Sequence, residues 1–276
     1  MAPLDELTRA ALAEELWKAE CMATPVSPLT DRYAGLEQDD SYGIQAEVAR
    51  IRAGLGHRVV GKKVGLTSPA MQEMAGVREP DFGQLFDVME ATDGDELDLD
   101  TLIAPKVEPE IAFVLGKRLE GPQVAPRQVL AAIDFIAPAL EIVDSRIADW
   151  RIRWHDTVAD NGSSARFVLG DRAFSPHGVD FEALTVMVER NGHPVARGCM
   201  GDVLGSPLRS VGWLVQKLST HGIALEAGDV VLPGSPCRAV DADSDDVFRA
   251  DFGALGAVTL GFVRRGTQQS DERKPQ

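Results

Sequence analysis

Arg58-Val59-Val60-Gly61-Lys62-Lys63-Val64-Gly65-Leu66-Thr67 marks a change in the character of this chain. Before it, apolar residues recur at helical spacing; from it onward they come in short β-branched runs punctuated by glycine. Upstream, Leu4, Leu7, Ala11, Leu12, Glu15 and Leu16 outline one amphipathic helix. After the break at Pro25-Val26-Ser27-Pro28, Ile44, Val48, Ile51 and Leu55 outline a second, closed by Gly56 and read as packing against the main body. Downstream, Ser68-Pro69 reads as an N-cap and first helical position, opening a short helix to Gly76. Strands are expected near 106–115, 136–144, 164–169, 184–190, 195–200, 229–232, 246–252 and 257–263. Asn191-Gly192 between two apolar stretches signals a hairpin, and Val211 to Leu218 has helical periodicity ended by His221-Gly222. Many strands with few helices between them argue for an α+β fold built on a β-sandwich or roll rather than a doubly wound sheet. The expected division is a helical segment over 1–57, a β-rich domain over 58–265 and a polar, disordered tail over 266–276.

Of 276 residues, 44% are hydrophobic, enough for a substantial core, and the formal net charge is -15. Such an acidic chain disfavours nonspecific nucleic-acid binding. An anionic substrate would need a local positive centre, which means a metal or a lysine. Cys21, Cys199 and Cys237 are too far apart for a zinc or redox motif and suit a reducing compartment. The start of the chain lacks the cationic and apolar stretches of a signal peptide, and no run of about 20 apolar residues is present to span a membrane. A cytoplasmic protein is expected.

The chemistry concentrates in acidic residues set into apolar surroundings. In Pro105-Lys106-Val107-Glu108-Pro109-Glu110-Ile111-Ala112-Phe113-Val114-Leu115, Glu108 and Glu110 would point to one face of a strand. Glu141 sits inside Ala139-Leu140-Glu141-Ile142-Val143. Burying like charges together is unfavourable, and a divalent cation with hard oxygen ligands is the natural compensation. The bland alternative is a pair of exposed acids at a strand start, where Pro109 would mark an edge or bulge.

Lys62 and Lys63 are adjacent, so one faces solvent and the other the interior; spacing does not say which. Asp81 reads either as a loop acid or as part of a site. Val158-Ala159-Asp160-Asn161-Gly162-Ser163-Ser164 offers small polar groups that suit either an Asx-type turn or hydrogen bonds to a carboxylate. The acidic runs at 93–95 and 241–246 lack the full EF-hand pattern and read as solvated loops. The histidines show no zinc spacing. No G-x-S-x-G elbow, P-loop or G-x-G-x-x-G fingerprint occurs.

Taken together and in order, Gly61-Lys62-Lys63-Val64-Gly65-Leu66-Thr67, Glu79-Pro80-Asp81-Phe82-Gly83, Glu108-Pro109-Glu110-Ile111-Ala112-Phe113, Glu141-Ile142-Val143-Asp144-Ser145-Arg146 and Asp156-Thr157-Val158-Ala159-Asp160-Asn161 resemble a known group. It is the 2-keto-4-pentenoate hydratase and 4-oxalocrotonate decarboxylase group of the fumarylacetoacetate hydrolase superfamily. The resemblance implies a mixed β-sandwich roll behind an N-terminal helical segment. It also implies a Mg²⁺ or Mn²⁺ site on Glu108, Glu110 and Glu141, catalytic roles for Lys63 and Asp81, and substrate contacts from Ser163 and Leu66. The implied reaction is addition of water to a 2-hydroxy-2,4-dienoate, giving a 4-hydroxy-2-oxoacid in aromatic or steroid ring catabolism. Decarboxylation of a 2-oxo-3-enedioate is the alternative within the group, and a catalytically silent partner of a pathway enzyme is the alternative outside it. The small-molecule substrate, a pathway aldolase and a homo-oligomer are the expected partners.

Overall fold

The computed structural model describes residues 3–68, 72, 77 and 79–266. The short helix expected up to Gly76 and the tail from residue 267 lie outside the described residues. The N-terminal helices are α1 (Glu6–Cys21), α2 (Leu29–Arg32) and α3 (Gln38–Gly54). Asp5 starts α1 by accepting a hydrogen bond from the Thr8 amide at 2.7 Å, which satisfies one of the free N–H groups of a helix start. Leu12, Leu16, Leu29, Ile44 and Val48 form one apolar cluster, which Ile147 and Ala159 of the main body complete. Leu7 and Leu55, expected on the apolar faces, are 83% and 59% exposed. One lies in the first turn of α1 and the other caps α3, and helix ends reach beyond the packed stretch.

The strands are β1 (Val59–Gly65), β2 (Asp81–Phe86), β3 (Glu90–Thr92), β4 (Glu96–Asp98), β5 (Lys106–Leu115), β6 (Ile133–Val143), β7 (Ser164–Leu169), β8 (Thr185–Arg190), β9 (His193–Cys199), β10 (Val230–Leu232), β11 (Val240–Asp241), β12 (Val247–Asp251) and β13 (Ala257–Val263). Among the described residues, three further α-helices, α4 (Pro126–Ala132), α5 (Trp154–Ala159) and α6 (Pro207–Ser219), connect them. An eight-stranded sheet runs β2-β1-β10-β5-β6-β7-β3, with β11 also pairing β5; a five-stranded sheet runs β4-β13-β12-β8-β9. Both mix parallel and antiparallel neighbours. The architecture is the α+β roll that the strand-rich pattern predicts. The Asn191-Gly192 turn joins β8 to β9 with φ of 56° and 76° at its two central residues, the left-handed pair a tight hairpin requires.

Alternation along β5 explains how the sheet serves two purposes. Val107, Ile111 and Phe113 point to the core between the sheets, where they meet Val188, Phe248 and Leu260. Burying each such large side chain is worth about 1.5–3 kcal/mol. Ala112 and Val114 point the other way, into a second cluster with Leu85, Phe86, Phe167 and Leu232. That cluster joins β2 at one end of the large sheet to β7 near the other, so the sheet curls around its own inner face. Glu108 and Glu110 share the parity of Ala112 and project to this inner face. Pro109 belongs to an interior strand rather than an edge, but β10 pairs only with Phe113 and Val114, and β11 only with Lys106 and Val107. The proline falls in the gap between them, where a missing N–H costs no ladder bond.

The acidic runs lie mostly in turns, as expected, but Asp246 is buried rather than solvated. Asp93 and Asp95 accept from the Thr259 and Thr92 amides, and Asp246 accepts from the Asp243 amide and the Asn191 side chain. The three cysteines are free. Among the described residues, no helix is long and apolar enough to cross a membrane.

Candidate active site

The register of β5 against β6 places Glu108 directly opposite Glu141, with Glu110 opposite Ala139. One oxygen from each of the three glutamates lies within 4.8 Å of the others. Glu110 and Glu141 are fully buried and Glu108 is 8% exposed, at the mouth of the group. Glu110 Oε2 accepts from the Gly234 amide at 2.6 Å, in the loop that fills the gap beside Pro109. Glu110 Oε1 and both Glu141 oxygens have no hydrogen-bond partner among the described residues.

Lys63 supplies the nearest positive charge. It lies on β1, with Gly83 of β2 opposite, and Nζ stands 3.4 Å from Glu141 Oε2. This is an ion pair without hydrogen-bond geometry, since Glu141 remains unpartnered. Burial alone would lower the lysine's pKa, but Glu141, Asp81, Glu108 and Glu110 outweigh it and hold Lys63 above the usual lysine range. Lys62 does not join this group. Its Nζ donates to the Gly61 carbonyl at 3.4 Å, and Lys62 too is buried rather than facing solvent as strand alternation suggested, which lowers its pKa to about 8.

Burial pushes Glu108 up to about 7 despite Lys63, and Glu141 adds to the rise. Burial also raises Glu110 well above the carboxylate range, with Glu141 and Glu108 contributing. Asp81 opens β2 opposite Gly65, and one of its oxygens, Oδ1, is buried without a hydrogen-bond partner among the described residues. Its pKa is raised by burial, against the opposing influence of Lys63, the Thr157 hydroxyl and the Gly65 amide. A Cβ on Gly65 would overlap Asp81 Oδ1, so glycine is required for Asp81 to occupy this place.

These groups surround one cavity. Lys63, Asp81 and Glu108 line it with Thr157 and Ser163, while Leu66, Val143, Trp150 and Ile152 give it apolar walls. Leu66 has φ of 55°, and Asn161, Gly162 and Ser163 all have positive φ. Two stretches of left-handed backbone therefore meet at the cavity, a strained arrangement typical of sites whose surroundings overdetermine them. Asn161 clamps the backbone of Gln84, accepting from its N–H at 2.7 Å and donating to its carbonyl at 2.9 Å. That clamp brings Gly162 against the stem of Lys63. Gln45 of α3 donates to the carbonyls of Phe82 and Val158, both at 2.9 Å, tying the strand that starts at Asp81 to the helix that holds Thr157.

The structure thus brings together Lys63, Asp81, Glu108, Glu110, Glu141, Ser163 and Leu66. Sequence reasoning did not find Thr157, Gln45 or the Asn161 clamp. Asn161 and Thr157 were inside a noticed segment; Gln45 carried no signal, because a glutamine on an amphipathic helix is ordinarily a surface residue.

The chain has recognisable relatives. Residues 91–263 match the family described as "Fumarylacetoacetate (FAA) hydrolase C-terminal". The chain belongs to the fumarylacetoacetate hydrolase family. It is 43% identical over 254 residues to the 2-keto-4-pentenoate hydratase of Paraburkholderia xenovorans, covering 92% of this chain and 94% of the relative. It is 41% identical to the 2-hydroxyhexa-2,4-dienoate hydratase of Comamonas testosteroni, covering 91% and 96%. Among solved structures, the 4-oxalocrotonate decarboxylase of Pseudomonas putida G7, complexed with magnesium and adipate, superimposes with a TM-score of 0.92 at 35% identity, covering 94% of this chain and 99% of that one. The chain is an enzyme, a hydro-lyase similar to the 2-keto-4-pentenoate hydratases.

Proposed function

We propose that this enzyme is a divalent-metal-dependent hydratase that adds water to a short monocarboxylic 2-hydroxy-2,4-dienoate, giving a 4-hydroxy-2-oxoacid. The carrying observation is a set of buried carboxylate oxygens without hydrogen-bond partners among the described residues, beside Lys63 and Asp81, at a cavity with apolar walls and a few hydroxyl groups. Unpaired buried charges are retained where something charged binds them.

The residues present fit a hard divalent ion. Glu108, Glu110 and Glu141 would hold it through oxygen ligands alone, the preference of Mg²⁺ and Mn²⁺. When bound, such an ion supplies Lewis acidity toward the substrate's carboxylate and C2 oxygen. Lys63, always protonated in this setting, holds the substrate carboxylate as a fixed cation. Asp81, whose burial favours its neutral form, delivers a proton to C5 and takes one back from the water that adds at C4. The 2-hydroxyl loses its proton and C3 gains one, so the sum is one water added. The apolar walls at Leu66, Val143, Trp150 and Ile152 receive the hydrocarbon end and keep bulk water from it.

The rival reading, decarboxylation of a 2-oxo-3-enedioate, requires the site to hold a second carboxylate. Among the described residues lining the cavity, Lys63 is the only cation. That favours the monocarboxylate. The product, a 4-hydroxy-2-oxoacid, is an aldol, so an aldolase is the class of enzyme that would consume it and the expected partner; the hydratase itself is expected to be cytoplasmic and homo-oligomeric.

An ultraviolet assay of freshly generated 2-hydroxypenta-2,4-dienoate tests the proposal. The expected result is loss of the dienoate absorbance with Mg²⁺ present and no loss after exhaustive chelation. Full activity after chelation would remove the metal from the proposal. Carbon dioxide release from 4-oxalocrotonate, without hydration of the pentadienoate, would replace the hydratase by the decarboxylase.

A further inference from the structure

The segment Asp144-Ser145-Arg146 and the Asp160 that follows α5 carry no role in the chemistry above, yet they form a fully buried ion pair directly behind the cavity. Arg146 and Asp160 side chains are 4% and 1% exposed. Arg146 donates through Nε to Asp160 Oδ1, through Nη2 to the Asp160 carbonyl, and through Nη1 to the carbonyls of Asp144 and Ser164. Four of the five guanidinium N–H groups are committed within the protein. The arginine's work is to keep Asp160 a carboxylate.

The other Asp160 oxygen, Oδ2, faces three donors: the Arg146 amide at 3.0 Å, the Ser145 hydroxyl at 3.2 Å and the Ser163 hydroxyl at 3.3 Å. The Ser163 amide is also taken, donating to the Asp160 carbonyl at 2.9 Å. A serine hydroxyl has one hydrogen and two lone pairs. With its hydrogen directed at an ionised, arginine-paired carboxylate, Ser163 presents only lone pairs to the cavity that it lines. A carboxylate or keto oxygen has only lone pairs as well and gains nothing from it. A 2-hydroxydienoate has one hydrogen-bond donor, the hydroxyl on C2.

We propose that Asp160, held by Arg146, is a positioning residue that fixes Ser163 as a hydrogen-bond acceptor, so that Ser163 recognises the 2-hydroxyl of the substrate rather than its carboxylate. The site thereby distinguishes 2-hydroxy acids from 2-oxo acids of the same length. The inference rests on the hydratase reading, because it takes the dienol as the ligand.

Two inert five-carbon acids, 2-hydroxypentanoate and 2-oxopentanoate, separate the possibilities when titrated calorimetrically into the Mg²⁺-loaded enzyme. Ser163→Ala is expected to weaken the hydroxy acid by about tenfold, the worth of one hydrogen bond, and to leave the oxo acid within about twofold. Asp160→Asn frees the Ser163 hydroxyl to turn, and the oxo acid is expected to gain on the hydroxy acid. Equal loss of both acids in Ser163→Ala, loss of the oxo acid alone, or no change in either would overturn the inference while leaving the hydratase intact. Failure of the unmodified enzyme to bind either acid would overturn the functional reading and this inference with it. Should Asp160→Asn fail to fold, the Ser163→Ala titrations decide alone, since that change deletes a single hydroxyl.

Discussion

Glu141 lies in the middle of an eight-stranded sheet with neither oxygen hydrogen-bonded among the described residues, and it forms an ion pair with Lys63 at 3.4 Å. A carboxylate in that position is poor for stability, because desolvation is not repaid by hydrogen bonds. The proposed role of Glu141 as a metal ligand makes a distinct prediction. Glu141→Gln should reduce Mg²⁺ affinity by at least about 100-fold, beyond the range seen for outer-lying partners of a metal, and abolish turnover in step. Asp81→Asn should separate the two properties. Asp81 is not among the three clustered glutamates, so Mg²⁺ affinity should stay within about threefold while turnover falls by roughly 10²–10⁴, the usual contribution of a proton-transfer group. Calorimetric titration with Mg²⁺ and steady-state hydration measure both. Parallel loss of affinity in the Asp81 variant would place that residue on the metal and overturn its separate role.

At the scale of elements, α3 does more than cover the body. Gln45 satisfies two buried carbonyls, Phe82 beside Asp81 and Val158 beside Thr157. Gln45→Leu keeps the volume and deletes both hydrogen bonds to buried carbonyls, at about 1–3 kcal/mol for each group left unsatisfied. A lowered melting temperature should accompany a fall in kcat, with Mg²⁺ affinity retained because β5 and β6 do not depend on this bridge. The bridge also shows what a sequence can and cannot disclose. The E-x-E spacing was legible, since a strand's period of two puts Glu108 and Glu110 on one face regardless of context. The strands near 106–115, 164–169 and 257–263 were legible for the same reason, from apolar runs between breaks. The pairing of Glu108 with Glu141 depends on register between two strands, which no local pattern carries. Residue spacing could not choose between Lys62 and Lys63, because that choice depends on which face of β1 meets the carboxylates. Gln45 was invisible because its partners are backbone groups 37 and 113 residues away. The short strands β3, β4 and β11 were missed because two or three residues make no period.

Over the whole molecule, the buried carboxylates should make stability, pH and metal a single coupled property. Glu108 has a pKa of about 7 in the fold, against 4.5 when unperturbed, and Glu110 is raised in the same sense. The folded state therefore binds more protons than the unfolded chain over this interval, and stability declines as pH rises through it. For Glu108 the contribution is whole below about pH 4.5 and is lost as pH climbs past 7; Glu110, raised by burial, acts in the same direction. Lys63 does not oppose this trend, because its raised pKa keeps it charged throughout. A divalent ion reverses the preference by binding the ionised form, so its binding should release protons and tighten with pH. Thermal unfolding of the metal-free enzyme between pH 5.5 and 8 should show a falling melting temperature. Added Mg²⁺ should raise that temperature by little at pH 5.5 and by progressively more toward pH 8, following the stabilisation expected of any ligand that binds only the folded state. Glu110→Gln removes one of the carboxylates raised by burial and should flatten the metal-free profile. A melting temperature that rises with pH in the metal-free enzyme, or a Mg²⁺ effect independent of pH, would show that these carboxylates are ionised in the fold without an ion to hold them.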